Sequence, residues 1–269
     1  MAMKLTTGKR IAETSSKGNQ EKWREGGRWY KLDMFGYEGL AETVASRLLE
    51  HTNLRELGFS FVPYRMEQLE VHGRKRTGCS SPDFLQEGEA ILTLAELFRK
   101  GAGPDWQAQV SRLPNLASRV RWMADTTRQL TGLDRFGEYL TALFEADMLF
   151  GNEDRHLNNI AVLRRGGGFA YCPFFDFGAG LLSNTRDFPL DVVPKALVGQ
   201  LRAQPLGTLF ARQVHAAQGE FGPQLRWDFT ETHIAALVEA LPYYAQRDRG
   251  LLRDRVEWCL KVQQRKLLS

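Results

Sequence analysis

Three side chains close together in the chain have the types and spacing to move a phosphoryl group. Asp154 opens the run Asp154-Arg155-His156-Leu157-Asn158-Asn159, and Asp176 begins Asp176-Phe177-Gly178. A carboxylate can take the proton of an attacking hydroxyl. An asparagine five residues on and a second aspartate can offer hard oxygen ligands to magnesium, which balances the charge of a triphosphate. The intervening residues suit that work. Residues 160–163 read as a short strand, Gly166-Gly167-Gly168 as a turn and 169–172 as the returning strand, so a polar loop precedes a hairpin and an acid follows it. His156 is a further candidate in the loop, where bracing the backbone suits it better than acting as a base.

A site of this kind needs a cation on the phosphates and elements to hold it. Lys31 lies in a predicted strand over 29–32. Glu42 follows eleven residues later, near the start of an amphipathic helix predicted over 38–51, where Leu40, Val44 and Leu48 recur every four residues. A strand lysine held by a helix glutamate is the arrangement that fixes the α- and β-phosphates in kinases. Upstream, 10–14 and 20–24 read as strands around the turn Ser15-Ser16-Lys17-Gly18-Asn19, whose small residues let backbone amides approach phosphate oxygens.

Strands over 61–69 and 74–79 follow, and Ser80-Ser81-Pro82-Asp83 ends the pattern. Helices are predicted over 89–99, 120–130 and 136–150, with a loop over 101–115. Further helical patterns lie near 195–203, 206–218, 231–241 and 247–266, the last with a solvated face. The fold class is α+β. A β-rich lobe with one helix spans 1–80, a mostly helical lobe spans 81–269, and an adenine would meet backbone groups of the connector near 79–84.

Hydrophobic residues make up 43% of the 269, enough for a sizeable core, and the net charge of +4 is too small to argue for an anionic partner. Cys79, Cys172 and Cys259 are dispersed without a CxxC pair, which argues against a zinc or redox motif and fits a reducing cytoplasm. Residues 1–10 lack the apolar core of a signal peptide, and no apolar run reaches the ~18–20 residues of a membrane span.

Three segments, in order, resemble the HipA-like serine/threonine kinases of bacteria. Ser15-Ser16-Lys17-Gly18-Asn19-Gln20-Glu21-Lys22 is similar to that family's phosphate loop, S-x-x-G-x-Q-E-K. The run from Asp154 to Asn159 is similar to its D-x-H-x-x-N catalytic loop, and Pro173-Phe174-Phe175-Asp176 to its P-F-Y-D metal site. The resemblance covers residues 10–180 and looks closest to the shorter members that lack an N-terminal subdomain, among them cytotoxic and truncated toxin kinases. It implies a two-lobed protein-kinase-like fold that uses ATP and Mg2+. Asp154 would be the base, Asn159 and Asp176 the metal ligands, and His156 part of the catalytic loop. Lys31 with Glu42, and the loop residues Ser15, Ser16, Gly18, Asn19 and Gln20, would surround the phosphates, with Ser15 at the position the family autophosphorylates.

The implied function is phosphoryl transfer to a serine or threonine of an unidentified protein substrate. A small antitoxin-type partner is implied too, with no direct nucleic-acid binding and no membrane span. The implied setting is the cytoplasm, or that of a secreted or injected effector. Asp154-Arg155-His156 and Asp176-Phe177-Gly178 also resemble the phosphoinositide kinases. A lipid or small-molecule kinase is therefore the alternative enzyme, and a pseudokinase-type binding module the alternative without catalysis.

Overall fold

Small residues set how closely the first sheet and its helix can approach. The computed structural model describes residues 3–5, 22–230 and 237–268. The strand expected over 10–14 and the loop residues Ser15, Ser16, Gly18, Asn19 and Gln20 lie outside the described residues. The strands β1 (Met3–Leu5), β2 (Lys22–Glu25), β3 (Arg28–Leu32), β4 (Arg65–Val71) and β5 (Arg74–Pro82) form a five-stranded sheet in the order β1-β4-β5-β3-β2. β1 runs parallel to β4, and the other neighbours are antiparallel. Alternation along the strands buries Trp23, Tyr30, Leu32, Leu69 and Val71 in one cluster. β5 runs past its expected end because Ser80, Ser81 and Pro82 still pair with β3; the proline, which lacks an N–H, falls at the last ladder position.

Helix α1 (Glu38–Leu49) is buried at every residue but Arg47. A Cβ on Gly39 would come 2.8 Å from the carbonyl carbon of Gly78, and one on Gly78 would come 2.1 Å from the Lys31 carbonyl oxygen. These two glycines let α1 close on β5, and β5 on β3, beside Lys31.

The segment 89–99, expected as one helix, divides into β6 (Ala90–Thr93) and α2 (Leu94–Gly101). A short apolar run does not distinguish strand from helix by its period. Here Ile91 and Leu92 pair with Leu163 and Val162, and the Thr93 side chain caps α2 by accepting from Glu96 N at 3.2 Å. β6 joins β7 (Ala161–Arg165) and β8 (Gly168–Tyr171) in a three-stranded antiparallel sheet, so the second part of the chain holds a sheet of its own. The expected loop over 101–115 contains α3 (Trp106–Ser111), whose Trp106 stacks on Trp122.

Helices α4 (Leu116–Thr131) and α5 (Phe136–Phe150) follow. α5 is buried at every position but Glu138, as its wide apolar arc requires. Next come α6 (Pro194–Val198), shorter than expected, and α7 (Phe210–Phe221). Of the helix expected over 231–241, the described part is a 3-10 helix, Leu237–Tyr243, with Pro242 inside it. α8 (Gln246–Leu268) closes the chain. Its Arg255 is buried and donates to the carbonyls of Phe188, Pro189 and Val192. Just before it, the Tyr244 hydroxyl donates to Asp33 Oδ2 at 2.8 Å, at the far end of β3. The chain is thus α+β, sheet-rich first and helical after. Among the described residues no helix is long and apolar enough to cross a membrane.

Candidate active site

Strand β3, helix α1 and the segment after β8 converge on one ammonium group. Lys31 Nζ donates to Glu42 Oε1 at 2.6 Å and to Asp176 Oδ1 at 2.9 Å, and stands 5.1 Å from the centre of the Tyr64 ring. The other Glu42 oxygen accepts from Phe177 N at 2.8 Å, so α1 also holds the backbone beside Asp176. Asp176 has a φ of 61°, a left-handed conformation that costs an aspartate some strain. That strain is carried by its neighbours. Phe177 packs edge-on against Phe150, and Asn152 Nδ2 donates to the Asp176 carbonyl at 3.3 Å.

Burial by itself favours a neutral amine at Lys31, but Asp176 and Glu42 hold its ammonium well above the usual lysine range. Burial likewise opposes ionisation of Asp176, yet Lys31 and Lys22 hold its carboxyl below the usual range. The 2.9 Å contact is therefore an ion pair at neutral pH. Glu42 moves the other way: burial, with Asp176 adding, raises it against the pull of Lys31.

The loop that carries Asp154 and Asn159 rests on a buried ion pair. Arg155 and Asp147, both without solvent exposure, meet with Nε to Oδ2 at 2.9 Å. Arg155 also donates to the carbonyls of Asn159 and Phe175, at 2.9 and 2.6 Å, and its guanidinium lies 4.7 Å from the centre of the Phe177 ring. One side chain thus ties α5, the loop and the Asp176 segment together. Asn159 Nδ2 donates to the Asp154 carbonyl at 2.9 Å, so the Asn159 oxygen is the atom that could meet a metal. An amide oxygen and a carboxylate fit magnesium, which takes few protein ligands and fills its shell with water and phosphate oxygens. Among the described residues no group of three or more His, Cys, Asp or Glu could hold a metal unaided. The Asp154 carboxyl is partly exposed, and His156 Nε2 is 3.7 Å from its Oδ1.

A cleft of about 790 Å3 opens between the two parts, lined by Lys31, Tyr64, Ser81, Phe84, Asn159, Phe175 and Asp176 among others. It has the size of a small-molecule site. On the far side of Asp176 lies a second cavity, of about 400 Å3, into which Asp154 opens. A strap crosses behind it. Residues 183–185 bond to the loop before α1 through Tyr37 N to Ser183 O (3.2 Å) and Thr185 N to Phe35 O (3.0 Å), and Gly36 bridges Asn184.

This arrangement of sheet, helix and loop is that of a solved protein. The fold superposes on the Helicobacter pylori proinflammatory kinase CtkA with a TM-score of 0.62, over 99% of this chain and 95% of that one, at 13% sequence identity. The chain has a kinase fold. A HipA of Shewanella oneidensis MR-1, solved with HipB and operator DNA, is also similar, with a TM-score of 0.48 and 13% identity over 97% of this chain and 66% of that one. No protein-family model and no curated protein sequence matches the chain.

In this fold Lys31, Glu42, Asn159 and Asp176 are brought together, and Asp154 lines the second cavity with Asp176. Two supports of the site were missing from the sequence reading. One is the Arg155–Asp147 pair, whose signal was a lone aspartate in the apolar run Ala146-Asp147-Met148-Leu149-Phe150. Such an acid needs a buried partner. The other is the place of Lys22, named in the sequence only as the end of the loop motif, which lines both cavities.

Proposed function

We propose that the chain is an ATP- and magnesium-dependent protein kinase of the HipA-like kind, acting as a toxin or effector on a serine or threonine of a protein. The observation that carries this reading is the preassembled Lys31–Glu42–Asp176 contact beside the loop that holds Asp154 and Asn159. Lys31 would bind the α- and β-phosphates, steadied by Glu42. Asn159 and Asp176 would hold magnesium, which neutralises charge on the phosphate oxygens when bound. Asp154 would accept the proton as the acceptor oxygen bonds to the γ-phosphorus, while the bond to the bridging oxygen breaks and ADP leaves. His156 would brace the loop.

Labelled ATP and a cell lysate test this directly. The parent should label protein and release ADP, and Asp154→Asn should transfer roughly 10²–10⁴-fold more slowly while binding Mg-ATP as before. A parent that neither labels protein nor releases ADP would sink the reading. It extends to Ser15 and Ser16, where a phosphate would add about −1.5 to −2 charges and weaken nucleotide binding. Peptide mass spectrometry should find that phosphate in the parent and not in Asp154→Asn.

A further inference from the structure

Arg119 is a cation with a cavity in front of it and no acceptor for one of its buried N–H groups. It stands in the first turn of α4 and lines a cavity of about 410 Å3, one wall of which is the loop residues His156, Leu157 and Asn158. Its Nε is buried without a hydrogen-bond partner. Among the described residues its one hydrogen bond runs from Nη2 to the Ser111 carbonyl at 3.2 Å, which uses one of the five donors of a guanidinium. A buried N–H that has no acceptor is costly. A cation in the first turn of a helix is also opposed by the helix dipole, so this position does not serve the stability of α4. Among the described residues Arg119 forms no ion pair, and no carboxylate lines the cavity.

The rest of the cavity suits an acid with an apolar neighbour. Trp106, held against Trp122, makes a flat wall, and Met123, Leu157 and Leu206 complete the apolar surface. The cavity is also continuous with the site. Gln204 lines both it and the second cavity, into which Asp154 opens, and Asn158 lines both it and the large cleft. A polypeptide with its hydroxyl at Asp154 can run past Gln204 into this space.

We propose, on the kinase reading above, that this cavity is a subsite for the acceptor and takes an acidic side chain of the substrate protein, a few residues from the phosphorylated hydroxyl. The carboxylate accepts from Arg119, and an apolar neighbour packs on Trp106 and Leu206. A carboxylate takes two parallel bonds from a guanidinium and compensates its charge, which an amide oxygen does not. The apolar walls exclude part of the solvent, so the contact is stronger than the same pair in open water. Arg119 is the specificity-determining residue, and it lies apart from the Lys31–Glu42–Asp176 contact that the kinase reading rests on.

The test is fluorescence anisotropy on the whole chain without nucleotide. The probes are serine peptides in which one glutamate is moved through successive positions on either side of the serine, each with a glutamine twin. At one position, or two adjacent ones, the glutamate peptide should bind about three- to tenfold tighter than its twin, with the gap narrowing at high salt. Arg119→Gln should remove that gap and leave the glutamine peptides as they were, and Arg119→Lys should keep part of it. Gln107 is exposed and lines the cavity, so Gln107→Glu adds a repelling charge without disturbing the bond from Arg119 to Ser111, and it too should narrow the gap. Thermal unfolding checks that the variants fold. Equal binding within every pair, the same gap at all positions, or a gap undiminished in folded Arg119→Gln or Gln107→Glu would overturn the proposal. So would soluble inositol bisphosphate that outbinds every peptide in the parent and not in Arg119→Gln, since the cavity would then serve a phosphorylated headgroup. Binding is read here without turnover, so its failure is distinct from failure of the kinase reading, which ADP release decides.

Discussion

Lys31 and Asp176 are 145 residues apart in the chain and 2.9 Å apart in the fold. Their contact joins a strand of the first sheet to the segment that follows the second. Because Glu42 shares the same ammonium, the distance between the two parts of the site is set by one side chain.

Replacing that side chain separates binding from stability. Lys31→Met should weaken Mg-ATP binding about 10–100-fold, the worth of a charged hydrogen bond to phosphate. It also leaves Glu42 buried without its cation, so the thermal midpoint should fall. The double variant Lys31→Met/Glu42→Gln should recover stability and not binding. Calorimetry beside thermal unfolding measures both, and undiminished ATP affinity in Lys31→Met would put the nucleotide elsewhere.

Arg155 should prove a structural residue in the guise of a catalytic one. It lies between Asp154 and His156, yet it has no solvent exposure and its charge is spent on Asp147. Arg155→Met leaves that carboxylate buried and uncompensated, a loss of about 3–5 kcal/mol in urea unfolding. Adding Asp147→Leu should return part of it. If Arg155→Met unfolds like the parent, the ion pair does not hold the loop.

Asp33 gives the fold a pH dependence of definite sign. Burial, with Glu38 adding, raises its carboxyl from the usual 3.8 to about 7, while Gly39 N and the Tyr244 hydroxyl donate to it at 2.6 and 2.8 Å. Between about pH 4 and 7 the folded chain therefore binds more protons at this group than the unfolded chain. Its contribution to stability falls as pH rises through that window and is level above it. Asp33→Asn stays neutral throughout, so its stability relative to the parent should rise from pH 4 to pH 7. Thermal unfolding of both proteins across the window measures the difference, and parallel curves would contradict it.

The strap behind the second cavity depends on Gly36. A Cβ there would lie 2.0 Å from the Ser183 carbonyl oxygen, and Thr185 would crowd it as well. Gly36→Ala should cost about 1–3 kcal/mol by overpacking. By moving the segment after Asp176 it should lower the transfer rate roughly 10–10²-fold. Gly199→Ala, with open space around the site, is the control. Equal behaviour of the two variants would show that the strap carries no geometry.

Much of the site was legible because its signals are local. Asp154, Asn159 and Asp176 stand around one hairpin, and α5 declares itself by an apolar arc wide enough to be buried on all sides. The pairing of Lys31 with Glu42 could be read only with the downstream cluster in view, because a strand lysine and a helix glutamate alone read as surface charges. What could not be read depends on contacts remote in sequence. Residues 90–93 are strand because β7 offers them a ladder, and nothing within the four residues says so. The strap over 183–185 looks like an irregular loop until the backbone groups of residues 35–37 are beside it. The burial of Arg155 has no local signal because its partner lies eight positions back on a helix whose other neighbours are apolar.

The position of α8 bears on when during synthesis the site can first exist. Arg255 holds the carbonyls of Phe188, Pro189 and Val192, just beyond the strap, and Tyr244 caps the carboxyl at the end of the lysine strand. Both supports are translated long after Lys31, Asp154 and Asp176. A nascent chain that has emerged only as far as α7 carries every residue of the proposed chemistry without the pins that hold them in register. Chains cut short by a premature stop or by proteolysis before Tyr244 share that condition. Assembly in this order would complete the site only once translation has passed α8.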